Sequence, residues 1–290
     1  MRLSTVILPL ERWPRSSAKW RRAEELGFYA AYIYDHLSWP HFRDRPWFAS
    51  IPTLTAAAVE TSTIRVGTLV TTPNFRHPVP LAKDLLSVDD VSAGRLTVGI
   101  GAGVHDNDAT VLGGEAWSAR ERMDRFVNFV ELLDELLREP ITTRSGPFYS
   151  AKEARMLPGT LQRPRPPFCV AATGKRGMDV AARLGESWVS IGRSANPEES
   201  CFDAVSAQLH RLDSALDAIG RSRGDIGRVL LDGLNSERPL VSVDAFVDWA
   251  GRYGALGITE LVIHWPEPDS LFDVDMKVFE EIATEGLAQL

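Results

Sequence analysis

Eight times along the chain a short, nearly unbroken apolar run is followed by a stretch with helical spacing, and this alternation constrains the fold more than any other feature. The strand candidates are 2–10, 29–35, 64–71, 95–103, 167–173, 186–192, 227–234 and 258–265. Helices are expected over 20–27, closed by Gly27, and over 50–61, 80–92, 119–139, 174–185 and 197–219. Two more follow, one from Val243 with Ser242 as its cap and a last one near 275–290. Strands apolar on both faces belong to parallel sheets covered by helices. Eight such βα pairs in 290 residues describe an α/β fold, a (β/α)8 TIM barrel forming a single domain over 1–290. A doubly wound open sheet would carry its glycine fingerprint after the first strand, where this chain instead has Leu10-Glu11-Arg12. Insertions are expected near 104–118 and 140–167, the second as a long loop or small hairpin.

Charge and cysteine content remove several function classes. Lysine and arginine number 32 against 39 acidic residues, a net charge of −7 that does not suit a nucleic-acid partner. The two cysteines, Cys169 and Cys201, are too far apart in sequence for a disulfide framework or a zinc knuckle. No window reaches the length of a membrane span, and the opening MRLSTVILPLERW is too soon charged to be a signal peptide, so a cytoplasmic protein without membrane contact is expected.

In a barrel, chemistry gathers where the strands end. Those ends read Asp35-His36, Thr71-Thr72, Gly101-Ala102-Gly103, Thr173-Gly174-Lys175-Arg176, Ile191-Gly192-Arg193 and His264-Trp265. They hold neither a histidine pair nor a carboxylate cluster suited to a metal, and no metal is expected. In VAATGKRG (170–177) a strand passes through a Thr-Gly turn directly into a helix. Free amides and the positive end of the helix dipole there make a seat for phosphate, with Lys175 and Arg176 adding charge; the alternative is a tight turn with two solvated bases. GIGAG (99–103) lacks the full dinucleotide spacing, and its bare backbone either admits a flat ring or serves a tight turn. His36 is either a partly buried histidine held by Asp35 or a positioned proton donor at a strand end. Trp39, His105 and His264 are candidates for lining a substrate pocket.

Three segments, AEELGFYAAYIYDHL (23–37), RVGTLVTTPNFRHPVPLAKDLLSVDDVSAGRLTVGIGAG (65–103) and AATGKRGMDVAARLGESWVSIG (171–192), together resemble the luciferase-like monooxygenase superfamily of flavin- and deazaflavin-dependent oxidoreductases. The Asp-His pair with a nearby tryptophan is most similar to the branch using coenzyme F420. That resemblance implies that Asp35 and His36 lie at the deazaflavin ring, with His36 as the catalytic contact. It implies a non-prolyl cis peptide at Leu69-Val70 behind the ring and Thr72 near its polar edge. Gly101, Ala102 and Gly103 would line the ring or ribityl chain, and Ala172, Thr173, Gly174, Lys175 and Arg176 would hold the phosphate. One departure matters: the sugar-phosphate dehydrogenases of this branch carry a glutamate directly after the glycine-rich stretch, where this chain has Val104. The expected activity is hydride transfer between F420 and a small organic substrate at C=C, C=O, C=N or an alcohol, in a homodimer. An FMN-dependent monooxygenase and a flavin-binding protein without turnover are the alternatives.

Overall fold

A computed structural model describes residues 1–103, 107–194, 196–233 and 237–289. The strands in chain order are β1 (Arg2–Val6), β2 (Ala30–Ile33), β3 (Arg65–Thr71), β4 (Leu96–Gly101), β5 (Ile141–Arg144), β6 (Ala151–Arg155), β7 (Phe168–Ala171), β8 (Ser187–Ser190), β9 (Gly227–Leu231) and β10 (Glu260–His264). All but β5 and β6 run parallel and close into a barrel in the order β1-β10-β9-β8-β7-β4-β3-β2. Closure is made by β1 on β10, in register from Arg2 opposite Glu260 to Val6 opposite His264. β5 and β6 pair as an antiparallel hairpin inside the 140–167 insertion, one of the two forms expected there.

The helices are α1 (Trp13–Glu25), α2 (Ser50–Glu60), α3 (Pro78–Val91), α4 (Asn107–Val111), α5 (Ala119–Arg138), α6 (Lys175–Leu184), α7 (Cys201–Ala218), α8 (Val243–Ala255) and α9 (Met276–Glu281). The large side chains Trp20, Phe126, Phe129, Trp188, Phe246 and Trp249 are fully buried where helices meet barrel. Ser242 caps α8 as expected, its Oγ accepting from the Ala245 amide at 3.1 Å. α1 begins earlier than the expected residue 20, because Pro14 in its first turn has a preset φ and lacks an N–H where the helix needs none. α7 begins later than 197, at the point where the Ser200 hydroxyl accepts from the Asp203 amide at 3.1 Å. The last helix is shorter than expected: α9 ends at Glu281, and a π turn (Ile282–Gly286) follows. No helix among the described residues is long and apolar enough to cross a membrane.

The Leu69-Val70 peptide is cis, and the pairing of β3 with β4 shifts register between Thr68 and Thr71. The two strands approach so closely that a Cβ on Gly99 would fall 2.1 Å from the Thr68 carbonyl oxygen. Backbone on both sides leaves no flexible atom to yield, so Gly99→Ala should lower stability by about 2–3 kcal/mol, measured by denaturant unfolding.

Candidate active site

β2 ends at Ile33, and Tyr34, Asp35 and His36 follow it at the C-terminal end of the barrel. The Nδ1 of His36 lies 2.6 Å from Oδ2 of Asp108, on α4 in the 104–118 insertion. The other oxygen of Asp108 accepts from the Leu37 amide at 2.7 Å, and the Trp47 indole donates to the His36 carbonyl at 2.9 Å. The Asp108 side chain is 1% exposed and that of His36 16%. A carboxylate at Nδ1 fixes the tautomer and ring orientation and leaves Nε2 as the nitrogen that can exchange a proton. The acid that holds His36 is therefore Asp108, 72 residues away, and not its neighbour Asp35.

Asp35 is engaged elsewhere. Its carboxylate accepts from the Ser50 hydroxyl, from the Thr71 hydroxyl at 2.5 Å, and from Arg76 at 2.7 Å and 3.1 Å. It is 1% exposed, and both its oxygens are engaged by these protein donors. The sequence offers few signals for Arg76, which lies between β3 and α3 in a stretch that reads as an ordinary loop.

Tyr34 joins the histidine to the other side of the barrel. Its ring meets His36 edge-on at 6.2 Å, and its hydroxyl lies 2.7 Å from Nε2 of His264, at the end of β10. His264 is 3% exposed and stacks on Phe272 with centroids 3.6 Å apart. Trp39 is buried in the same aromatic group, parallel to Phe272 at 6.0 Å and edge-on to Tyr34 at 5.1 Å. Burial pushes the His264 imidazole down to about 3. Between that value and the ordinary histidine value the unfolded chain binds a proton that the folded one refuses. Stability should therefore fall as pH drops from about 6.5 towards 3, with a slope of up to about 1.4 kcal/mol per pH unit from this residue. His264→Phe should flatten that part of the curve, as read from unfolding midpoints at several pH values.

Around the mouth, Gly174 caps α6 without any side-chain bond, and the helix has no acidic residue in its first turn. No atom of the described residues lies within 4 Å of where a Cβ on Gly174 would be. Lys175 is 87% exposed and only loosely paired with Asp179 at 3.4 Å. Arg176 instead reaches Asp124 at 2.6 Å. Arg211 on α7, missed by the sequence reading, donates to the Thr173 carbonyl at 3.0 Å. Ala172 and Thr173 complete the turn, Ala172 accepting at its carbonyl from the Trp188 indole at 2.8 Å. Across the mouth, Gly101 lies against Val70, whose Cγ2 would be 2.9 Å from an added Cβ; Ala102 is half-buried. Gly103 faces Asn74, and the buried Thr72 hydroxyl accepts from the Asn74 amide at 3.3 Å. Val104 and His105 lie outside the described residues. Among the described residues, no three His, Cys, Asp or Glu side chains gather as a metal site would require.

The closed parallel barrel thus carries, at one mouth, an oriented histidine and a helix N-terminus without a side-chain cap. The model of the luciferase-like monooxygenase family matches residues 10–231, and the chain belongs to that family. The F420-dependent glucose-6-phosphate dehydrogenase of Microbacterium testaceum is 30% identical over 210 residues, 72% of this chain and 60% of that protein. The F420-dependent hydroxymycolic acid dehydrogenase of Mycobacterium tuberculosis is 32% identical over 190 residues, 64% of this chain and 51% of that protein. The match thus spans about half to two thirds of these relatives' length. Among solved structures, the coenzyme F420-dependent tetrahydromethanopterin reductase of Methanopyrus kandleri superposes with a TM-score of 0.77 at 18% identity, covering 99% of this chain and 98% of that one, a likeness of fold.

Proposed function

We propose that the protein is an F420-dependent oxidoreductase acting on a small organic molecule at a carbon bearing oxygen. The observation that carries the reading is His36, held at Nδ1 by a buried carboxylate, at the same barrel mouth as the open N-terminus of α6. The names of the relatives support the choice of cofactor. The deazaflavin, when bound, supplies hydride-pair chemistry. The chain's residues do the remainder. The α6 amides and Lys175 would bind the phosphate, with Arg211 adding charge beside the turn, while Arg176 stays with Asp124. Leu69, Val70, Gly101, Ala102 and Gly103 would form the wall against the ring. His36 would take a proton from an alcohol, or give one to a carbonyl, through Nε2, and Asp108 would stabilise the ring in its charged form.

Titration with F420 and FMN side by side tests this reading. F420 should bind more tightly at low salt, and the preference should shrink as salt rises, because exposed bases that include Arg193 would attract its anionic tail. Lys175→Ala should weaken F420 binding about tenfold, near 1.4 kcal/mol, and Arg176→Ala less. Equal or tighter binding of FMN at low salt would assign the protein to flavin chemistry instead.

A further inference from the structure

A cavity of about 480 Å³ opens between the ends of β9 and β10, within the roughly 300–1,000 Å³ range of small-molecule sites. His264 lies on its wall, and through Tyr34 the cavity is one side chain away from His36. We infer that this cavity holds the substrate and is built for a neutral molecule, an apolar body carrying one hydroxyl or carbonyl, and not for a phosphate monoester. The assignment rests on the oxidoreductase reading for what happens to the bound molecule, but its ligand class follows from the walls alone.

Three features of the walls carry it. The first is a buried polar atom: Nδ1 of His264 makes no full hydrogen bond to the described residues, and the Asp232 main chain is the polar group beside it. A buried nitrogen without a good partner is costly, and a ligand hydroxyl or carbonyl would satisfy it. Gly233, at φ +96°, keeps that nitrogen clear, since a Cβ there would come within 2.8 Å of it. The second is apolar surface left open at the rim, with Val241 67% and Leu271 41% exposed, continuous with Leu240, Phe272, Val274 and Val278 of the wall. The third is charge. Among the described residues, Asp232, Glu237, Asp273 and Asp275 line the cavity against one guanidinium, Arg238. Glu237 is fixed by Trp249 at 2.9 Å and Tyr253 at 2.7 Å, and Asp275 caps α9, so these acids cannot turn away to admit an anion. A phosphate dianion would meet this excess of like charge with a single cation to offset it.

The experiment uses the full chain with labelled histidine, its His264 resonances identified by their loss in His264→Phe. Cyclohexanol and glucose 6-phosphate are titrated separately, without and with F420. Cyclohexanol should shift the His264 signals saturably, while glucose 6-phosphate at equal concentration leaves them in place. Leu271→Trp fills the cavity from its exposed rim and should raise the apparent Kd for cyclohexanol at least tenfold, with F420 affinity unchanged within twofold. Glucose 6-phosphate shifting His264 as strongly as cyclohexanol, or cyclohexanol binding unaltered by Leu271→Trp, would overturn the inference. Failure of F420 to bind wild-type protein that still answers to cyclohexanol would refute the cofactor reading and uphold the ligand class.

Discussion

His36→Ala should lower kcat by about 10²–10⁴, the range for a positioned acid–base group, while the affinity for F420 changes little. The side chain is partly exposed at the mouth and its main chain is held separately by Trp47, so the fold should survive its loss. Asp108→Asn separates chemistry from packing more finely. The new amide keeps an oxygen for the Leu37 amide but removes the charge facing Nδ1. The expected loss is about 10–100-fold in kcat with KM nearly constant, as for other carboxylates that orient a working histidine. Alanine at 108 should cost more, because the Leu37 amide then loses its partner too. Steady-state rates with reduced and oxidised F420 measure both variants. Wild-type turnover in His36→Ala would remove the residue from the mechanism, and equal losses in kcat and F420 affinity would make it a binding group.

What the sequence reveals here is what depends on local pattern. The eight parallel strands follow from apolar runs, the α8 start from Ser242, and the open end of α6 from a Thr-Gly turn running straight into a helix. The Leu69-Val70 cis bond came from family resemblance rather than from any property of leucine or valine. What stays hidden is pairing across the mouth. Asp35 is adjacent to His36 in sequence and looks like its natural partner, yet alternate residues leaving a strand point to opposite sides, and the partner arrives on α4 from the following insertion. Asp108 stands among Asp106, Asn107 and Ala109 with no periodicity to single it out. Arg176 shows the converse case: it lies in the first turn of α6 as expected, but it pairs with Asp124 on α5 at 2.6 Å, and no local pattern encodes that pairing.

Arg76→Met should destabilise the protein by about 3–5 kcal/mol, because it leaves the Asp35 carboxylate buried without its counter-charge. Arg76 itself is 20% exposed on its side chain and Asp35 1%, so the penalty falls on the aspartate. Ser50 and Thr71 would remain as donors, but two hydroxyls do not replace a bidentate guanidinium. The carboxylate ties together the end of β2, the first residue of α2, the last residue of β3 and the loop before α3. Because Asp35 sits between Tyr34 and His36, loosening it should also displace His36. A fall in F420 affinity or turnover is therefore expected in Asp35→Ala, although the carboxylate faces away from the mouth. Adding Asp35→Asn to Arg76→Met removes the stranded charge and should restore at least half of the lost stability. Urea unfolding of the two single variants and the double variant measures the coupling. Additive losses would mean that the pair contributes little, and that the end of β2 is held by packing of Tyr34 and Trp39 alone.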